Sequence, residues 1–226
     1  MNYSDYIAYH KRGDAGVEER MIASLCRRLH LSEWDSFRLM YFYTMTYHIP
    51  SALRILSDPS VKQSELTFRT DRRYVRCNGA YDRLLRELST GIQSRLKEVT
   101  STQAAYDTVK RWFFFGRYTA FLFLEVYSNA FKPKWADDVT FAWEPDENYT
   151  LGAIEVAKSN DHRELDKFLE HVKIDTKDNA FAIETSLCAV AKFAKGTRYD
   201  GYYTERMIRE AKDSDYGSLI LSLVLS

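Results

Sequence analysis

The chain reads as an all-α protein carrying one small β-hairpin, and three observations lead there. Apolar residues recur at i, i+3, i+4 and i+7 along most of the 226 residues, the spacing of helices buried on one face. Hydrophobic residues at 45% and aromatics at 15%, with only nine glycines and four prolines, describe an ordered globular chain rather than a disordered one. The period breaks clearly once, at Leu66 to Cys77, where Leu66 and Phe68 alternate with Thr67 and Arg69 and a Thr70-Asp71-Arg72-Arg73 turn precedes Tyr74-Val75; this is the expected β-hairpin. No linker or repeat divides the chain, so residues 1–226 are expected to form a single helical domain.

Gly16 to Leu29 puts Val17, Met21, Leu25 and Leu29 on one face of an amphipathic helix. Ser32 is placed to cap a second helix reaching about Tyr47, with Trp34, Leu39, Phe42 and Tyr43 as buried candidates and Pro50 as its stop. Ser51 to Leu56 adds a short helix. From Asn78 the stripe Tyr81, Leu84, Leu85, Leu88, Ile92 and Leu96 predicts one helix, and Ser101 or Thr102 caps the next. Trp112 to Asp138 is the most apolar and aromatic stretch; Gly116 interrupts it, predicting two buried helices meeting at a tight turn. Lys132 to Tyr149 is an acidic connection anchored by Trp135 and Trp143, followed by short helices at Thr150–Lys158 and Asp161–Val172. Phe113, Phe121, Phe123, Leu124, Leu187 and Val190 are expected to share a core.

Thirty-two basic residues balance thirty-two acidic ones, so net charge supplies no reason to expect a polyanion. Local charge does. Residues 69–97 carry Arg69, Arg72, Arg73, Arg76, Arg83, Arg86, Arg95 and Lys97 against Asp71, Asp82 and Glu87. Residues 137–149 carry five acids and no base. Cys26, Cys77 and Cys188 are far apart, with no C-x-x-C and no histidine cluster, which disfavours a disulfide framework and a zinc site and fits a reducing compartment. The N-terminus lacks an apolar signal region and Leu219–Leu225 is too short to span a bilayer, so a soluble, cytoplasmic protein with no membrane partner is expected. Walker A, dinucleotide, H-E-x-x-H and G-x-S-x-G patterns are absent, leaving ATP, NAD and familiar hydrolase chemistry unsupported.

Polar side chains concentrate in Phe181 to Arg206. Ile183, Leu187, Val190 and Ala194 form a buried stripe, with Glu184, Cys188, Lys192 and Lys195 on a neighbouring face. Gly196 ends the helix, and Asp200 is placed to cap another bearing Tyr202, Tyr203 and Arg206, with Arg198 and Tyr199 in the turn. Such a set serves equally as a salt-bridge network or as a site.

Gly116-Arg117-Tyr118-Thr119-Ala120 resembles the second half of the hairpin in helix-hairpin-helix DNA glycosylases, whose G-x-G-x-x-T-A pattern presents backbone amides to a DNA phosphate. Phe114 stands where that pattern has its first glycine. Together with Thr70-Asp71-Arg72-Arg73-Tyr74, Glu184-Thr185-x-x-Cys188 and Arg198-Tyr199-x-Gly201-Tyr202-Tyr203, this run resembles the glycosylase-related enzymes of bacteriophage thymine hypermodification, particularly the amino acid:DNA transferases. The resemblance implies a multi-helix glycosylase-like fold and a reaction on double-stranded DNA in the host cytoplasm. There a phage hydroxymethyluracil DNA kinase pyrophosphorylates the base, and the transferase replaces the pyrophosphate of 5-pyrophosphoryloxymethyl-deoxyuridine with a free amino acid, glycine being the simplest. No cofactor or metal is implied. Arg72, Arg73, Arg117, Lys192, Arg198 and Arg206 would clamp pyrophosphate and DNA. Glu184, or one of Asp137 and Asp138, would take the amine's proton, while an exposed helix cap or acidic loop is the plainer reading of Asp137 and Asp138. Tyr118, Tyr199 and Tyr203 would stack the extruded base. A related glycosylase-like or putrescinyl/glutamyl-thymine pyrophosphorylase enzyme, and a non-catalytic DNA-binding adaptor, are the alternatives.

Overall fold

The computed structural model describes residues 2–69, 72, 75, 77, 79–138 and 165–224, with the backbone alone at 137, 138, 165–167 and 169. Every regular element among them is helical: α1 Tyr3–Arg12, α2 Val17–Arg28, α3 Glu33–Thr46, α4 Ile49–Ser57, a 3-10 turn at Gln63–Glu65, α5 Ala80–Leu88, α6 Ile92–Lys97, α7 Thr102–Lys110, α8 Arg117–Phe131, a 3-10 turn at Lys134–Asp138, α9 Leu165–Thr176, α10 Ala180–Ala194, α11 Tyr202–Lys212 and α12 Gly217–Val224. They divide into two compact units. One comprises residues 1–17 and 133–207, the other 18–132 and 208–226.

In the larger unit, α3 packs on α4 and α8, and α7 on α8. Ser32 caps α3 by accepting from Asp35 N, as expected, and Tyr47 closes the helix in the left-handed conformation. Pro50 does not stop α3. It lies in the first turn of α4, where its missing N–H leaves no gap, and His48 caps that helix. Leu39, Phe42 and Tyr43 are buried, whereas Trp34 is 40% exposed, its ring stacking on Phe37 at 5.9 Å. The single helix expected from Asn78 is two, because Gly91 takes φ +74° between α5 and α6.

The expected β-hairpin is not present among the described residues. Thr67 N donates to Ser51 Oγ and Arg69 N to the Thr46 carbonyl, so donors that a strand ladder would use are already engaged by α3 and α4. Arg72 N then turns back to the Arg69 carbonyl. Thr70, Asp71, Arg73, Tyr74 and Arg76 lie outside the described residues.

The aromatic stretch also folds differently from its expectation. Helix α7 ends at Lys110, and residues 111–116 form an irregular turn. Trp112 packs edge-on to Phe37 and Phe123 at 6.0 and 4.9 Å, and Phe115 stacks on Tyr41 at 5.1 Å. Trp112, Phe115, Phe37, Tyr41 and Phe123 are all at least 95% buried, each worth roughly 2–3 kcal/mol of burial. Packing therefore holds the turn without a helix.

The smaller unit packs α1 against α9 and α10, and α9 against α10. Tyr6, Phe168, Val172, Phe181, Ile183 and Leu187 fill its core. The residues expected to share one core are thus divided: Phe121, Phe123 and Leu124 are buried in the larger unit and Leu187 and Val190 in the smaller. Phe113 is only half-buried and Ala194 is exposed. Asp200 does not cap α11; Asp14 does, accepting from Thr204 N at 2.9 Å and Gly201 N at 3.2 Å, while Asp200 pairs with Arg12. Among the described residues no helix is long and apolar enough to cross a membrane. The Asp161 cap, the Thr150–Lys158 helix and Trp143 lie outside the described residues.

Candidate phosphate-binding pocket

Helix α8 begins without a side-chain cap, because Gly116 occupies the N-cap position. A helix cannot satisfy its first-turn amides internally, and they carry the positive end of its dipole. Gly116 adopts ordinary extended backbone, φ −72° and ψ −177°, so its conformation does not require glycine. Packing does not either: a Cβ there would meet nothing within 4 Å. Gly116, Arg117, Tyr118 and Thr119 line a pocket of about 660 Å³ together with Arg72, Lys110, Trp112, Phe114 and Phe115. Three of these residues are cationic and none is acidic.

Each cation arrives from a different element. Arg72 is 1% exposed; its Nε donates to the Thr44 carbonyl in the last turn of α3 at 2.9 Å, complementing that helix's negative end. Its guanidinium also lies 5.2 Å from the ring centroids of both Tyr47 and Tyr118, a cation–π pair of contacts that holds a charge where water is scarce. Lys110 ends α7 and Arg117 opens α8. Phe114 has φ +59°, the left-handed region that glycine enters freely and that costs a bulky residue about 1–2 kcal/mol. Phe114 is 38% exposed and lines the pocket.

Of the residues expected to bind DNA or stack a base, Arg72, Arg117 and Tyr118 meet in this pocket. Arg73 lies outside the described residues. Arg69, the first of the basic stretch, is engaged elsewhere: it holds Glu18 through two bonds of 2.5 and 2.9 Å and Glu210 through two of 3.2 and 2.5 Å. Sequence reasoning missed Lys110, Trp112 and Phe114 as pocket residues, because helical periodicity assigned the aromatics to a buried helix.

The other predicted residues belong to the smaller unit. Glu184 is 4% exposed on α10, and its Oε1 has no hydrogen-bond partner among the described residues. Burial pushes its carboxyl up to about 8, against a smaller opposing pull from Lys192. Burial also acts to lower Lys192, but Cys188 and Tyr203 more than offset it and hold the ammonium above its usual value. Arg198 lies 4.2 Å from the Tyr202 ring centroid, and Arg206 5.5 and 5.3 Å from those of Tyr202 and Tyr203. Tyr199, half exposed, donates to Glu205. These residues form a cation–tyrosine surface around the α10–α11 turn. Asp137 and Asp138 lie in the second 3-10 turn, and their side chains are outside the described ones. A further polar chain was not foreseen: Ser186 Oγ lies 2.8 Å from His10 Nδ1, whose Nε2 meets Asp178 at 2.7 Å. Ser186 is 2% exposed, so this chain ties α1 to α10 rather than presenting a nucleophile. Comparison of the sequence and structure with protein-family models, with curated proteins and with solved structures gives no match.

Proposed function

We propose that this protein acts on nucleic acid, gripping a phosphate group in the pocket at the start of α8. The observation that carries this reading is the convergence of Arg72, Lys110 and Arg117 on a helix N-terminus whose N-cap glycine supplies no side-chain cap, with no acidic residue among the described ones lining the same space. Concentrated positive charge, the positive end of a helix and aromatic walls are what a nucleotide's phosphate and base require. The finer reading follows the resemblance: transfer of an amino acid, glycine in the simplest case, onto 5-pyrophosphoryloxymethyl-deoxyuridine in DNA. The amine nitrogen bonds to the exocyclic methylene carbon, the carbon–oxygen bond to pyrophosphate breaks with its electron pair leaving on the pyrophosphate, and a base takes the amine's surplus proton. Glu184, or Asp137 or Asp138, is proposed as that base. Lys192, Arg198 and Arg206 are proposed as further contacts to DNA, with Tyr199 and Tyr203 as stacking residues.

A binding-only adaptor is the second reading, favoured by the deep burial of Glu184. Incubation with pyrophosphorylated hydroxymethyl-deoxyuridine DNA and an amino acid pool, followed by nucleoside mass spectrometry, separates the two. An aminoacyl adduct is expected for the transferase, and unchanged nucleosides with retained binding identify the adaptor. Binding itself is tested at Arg117. Replacing it with alanine is expected to weaken an oligonucleotide complex and to reduce the slope of log K against log salt by roughly 0.7–0.9; an unchanged slope removes this pocket as the phosphate site.

A further inference from the structure

We infer that Phe114 is a stacking platform for an unpaired nucleobase, held at the rim of the phosphate pocket so that the site takes single-stranded or extruded nucleotides in preference to paired ones. The inference rests on the nucleic-acid reading above and goes beyond it by assigning a residue and a substrate form.

Local backbone conformation disfavours a phenylalanine at this position. Its backbone sits at φ +59°, where glycine is favoured, and the residue remains 38% exposed. The surroundings nevertheless hold the turn firmly. Trp112 and Phe115 on either side are buried in the aromatic cluster. Phe113 N donates to both carboxylate oxygens of Glu87 at 2.9 and 3.0 Å, and the Arg83 guanidinium lies 3.7 Å from the Phe113 ring centroid. Phe113 in turn backs Phe114, with ring centroids 4.3 Å apart. An unfavourable backbone state kept in place by rigid neighbours is a common mark of a functional position.

The occupant follows from the adjoining charge. Phe114 shares its pocket with three cations and the α8 amides, so a planar ligand lying on the ring would carry anionic groups into that space. A nucleobase with its own phosphate meets both demands, and a base stacked between its neighbours in a duplex offers no free face. Trp112 adds an independent sign of a ligand. It lines the pocket, is 5% exposed, and its indole N–H has no partner among the described residues, leaving a buried donor for an acceptor to satisfy.

The test compares the full-length wild type with Phe114→Gly, Phe114→Trp and Arg117→Ala on three probes: a single-stranded oligonucleotide containing 2-aminopurine, an abasic strand of the same length, and the paired duplex. Wild type is expected to bind the strand with bases roughly 5- to 100-fold more tightly than the abasic strand and to quench 2-aminopurine. Phe114→Gly loses that ratio and the quenching while keeping its salt slope, and strain relief offsets the lost ring contact so that Tm stays within roughly 4 °C. Phe114→Trp retains the ratio, and Arg117→Ala weakens all three probes alike. An equal ratio in wild type and Phe114→Gly overturns the platform and leaves the phosphate pocket standing. Failure of wild type to bind any probe overturns the nucleic-acid reading and this inference with it.

Discussion

Glu184 shows how one residue's environment decides its chemistry. On sequence, burial and Lys192 oppose each other; in the folded chain burial wins and raises the carboxyl from its ordinary value of 4.5 to about 8. The group is then protonated at neutral pH when folded and ionised when unfolded. Its contribution to stability is fully present below about pH 4.5 and is lost as pH rises toward 8, by about 1.4 kcal/mol per pH unit in between. Glutamine cannot titrate, so Glu184→Gln should gain on wild type by that amount per unit from pH 5 to 7.5 in urea unfolding. Parallel curves would show that Glu184 is ionised in the folded protein. If Glu184 is also the proposed base, wild-type turnover climbs with pH through about 8 and the glutamine variant loses that limb.

Between elements, Arg69 forms a concentrated polar junction in the larger unit. Its guanidinium joins Glu18 on α2 to Glu210 on α11, Tyr43 on α3 donates to Glu18 and Glu19, and Arg69 also lies 4.6 Å from the Tyr47 ring centroid. The Arg69 side chain is 10% exposed and that of Glu18 2%, so removing the cation strands a buried carboxylate. Arg69→Met is expected to cost about 3–5 kcal/mol, with part recovered by adding Glu18→Gln. A loss below about 1 kcal/mol in chemical denaturation would mean that water reaches this junction. Asp14 plays the same joining role in the smaller unit, capping α11 from a position 190 residues away from Thr204.

For the whole molecule, each unit is assembled from two distant segments, so neither unit can be complete until the chain has returned to it. Removing residues 1–16 takes away α1, with the contacts of Tyr6 and His10 to Ser186 and of His10 to Asp178. Hydrogen exchange is then expected to accelerate across α9 and α10 while α3 and α8 keep their protection; uniform acceleration would show one cooperative body. Local chemistry was legible in the sequence. Apolar spacing marked most helices, Ser32 and Ser101 announced their caps, and Gly116 marked the start of α8, because these signals act within a turn or two of chain. Other features were decided only by tertiary packing. Trp112 to Phe115 left the helix because buried aromatics from α3 and α8 outweigh local propensity. Arg69 and Arg72, neighbours in one basic run, took opposite fates because one met two buried carboxylates and the other met a helix C-terminus and two aromatic rings. Residue type and spacing set the charge and the apolar face of each segment by themselves. Which charges are neutralised and which face a pocket depends on partners far away in sequence, and only the folded chain brings those within a few ångströms.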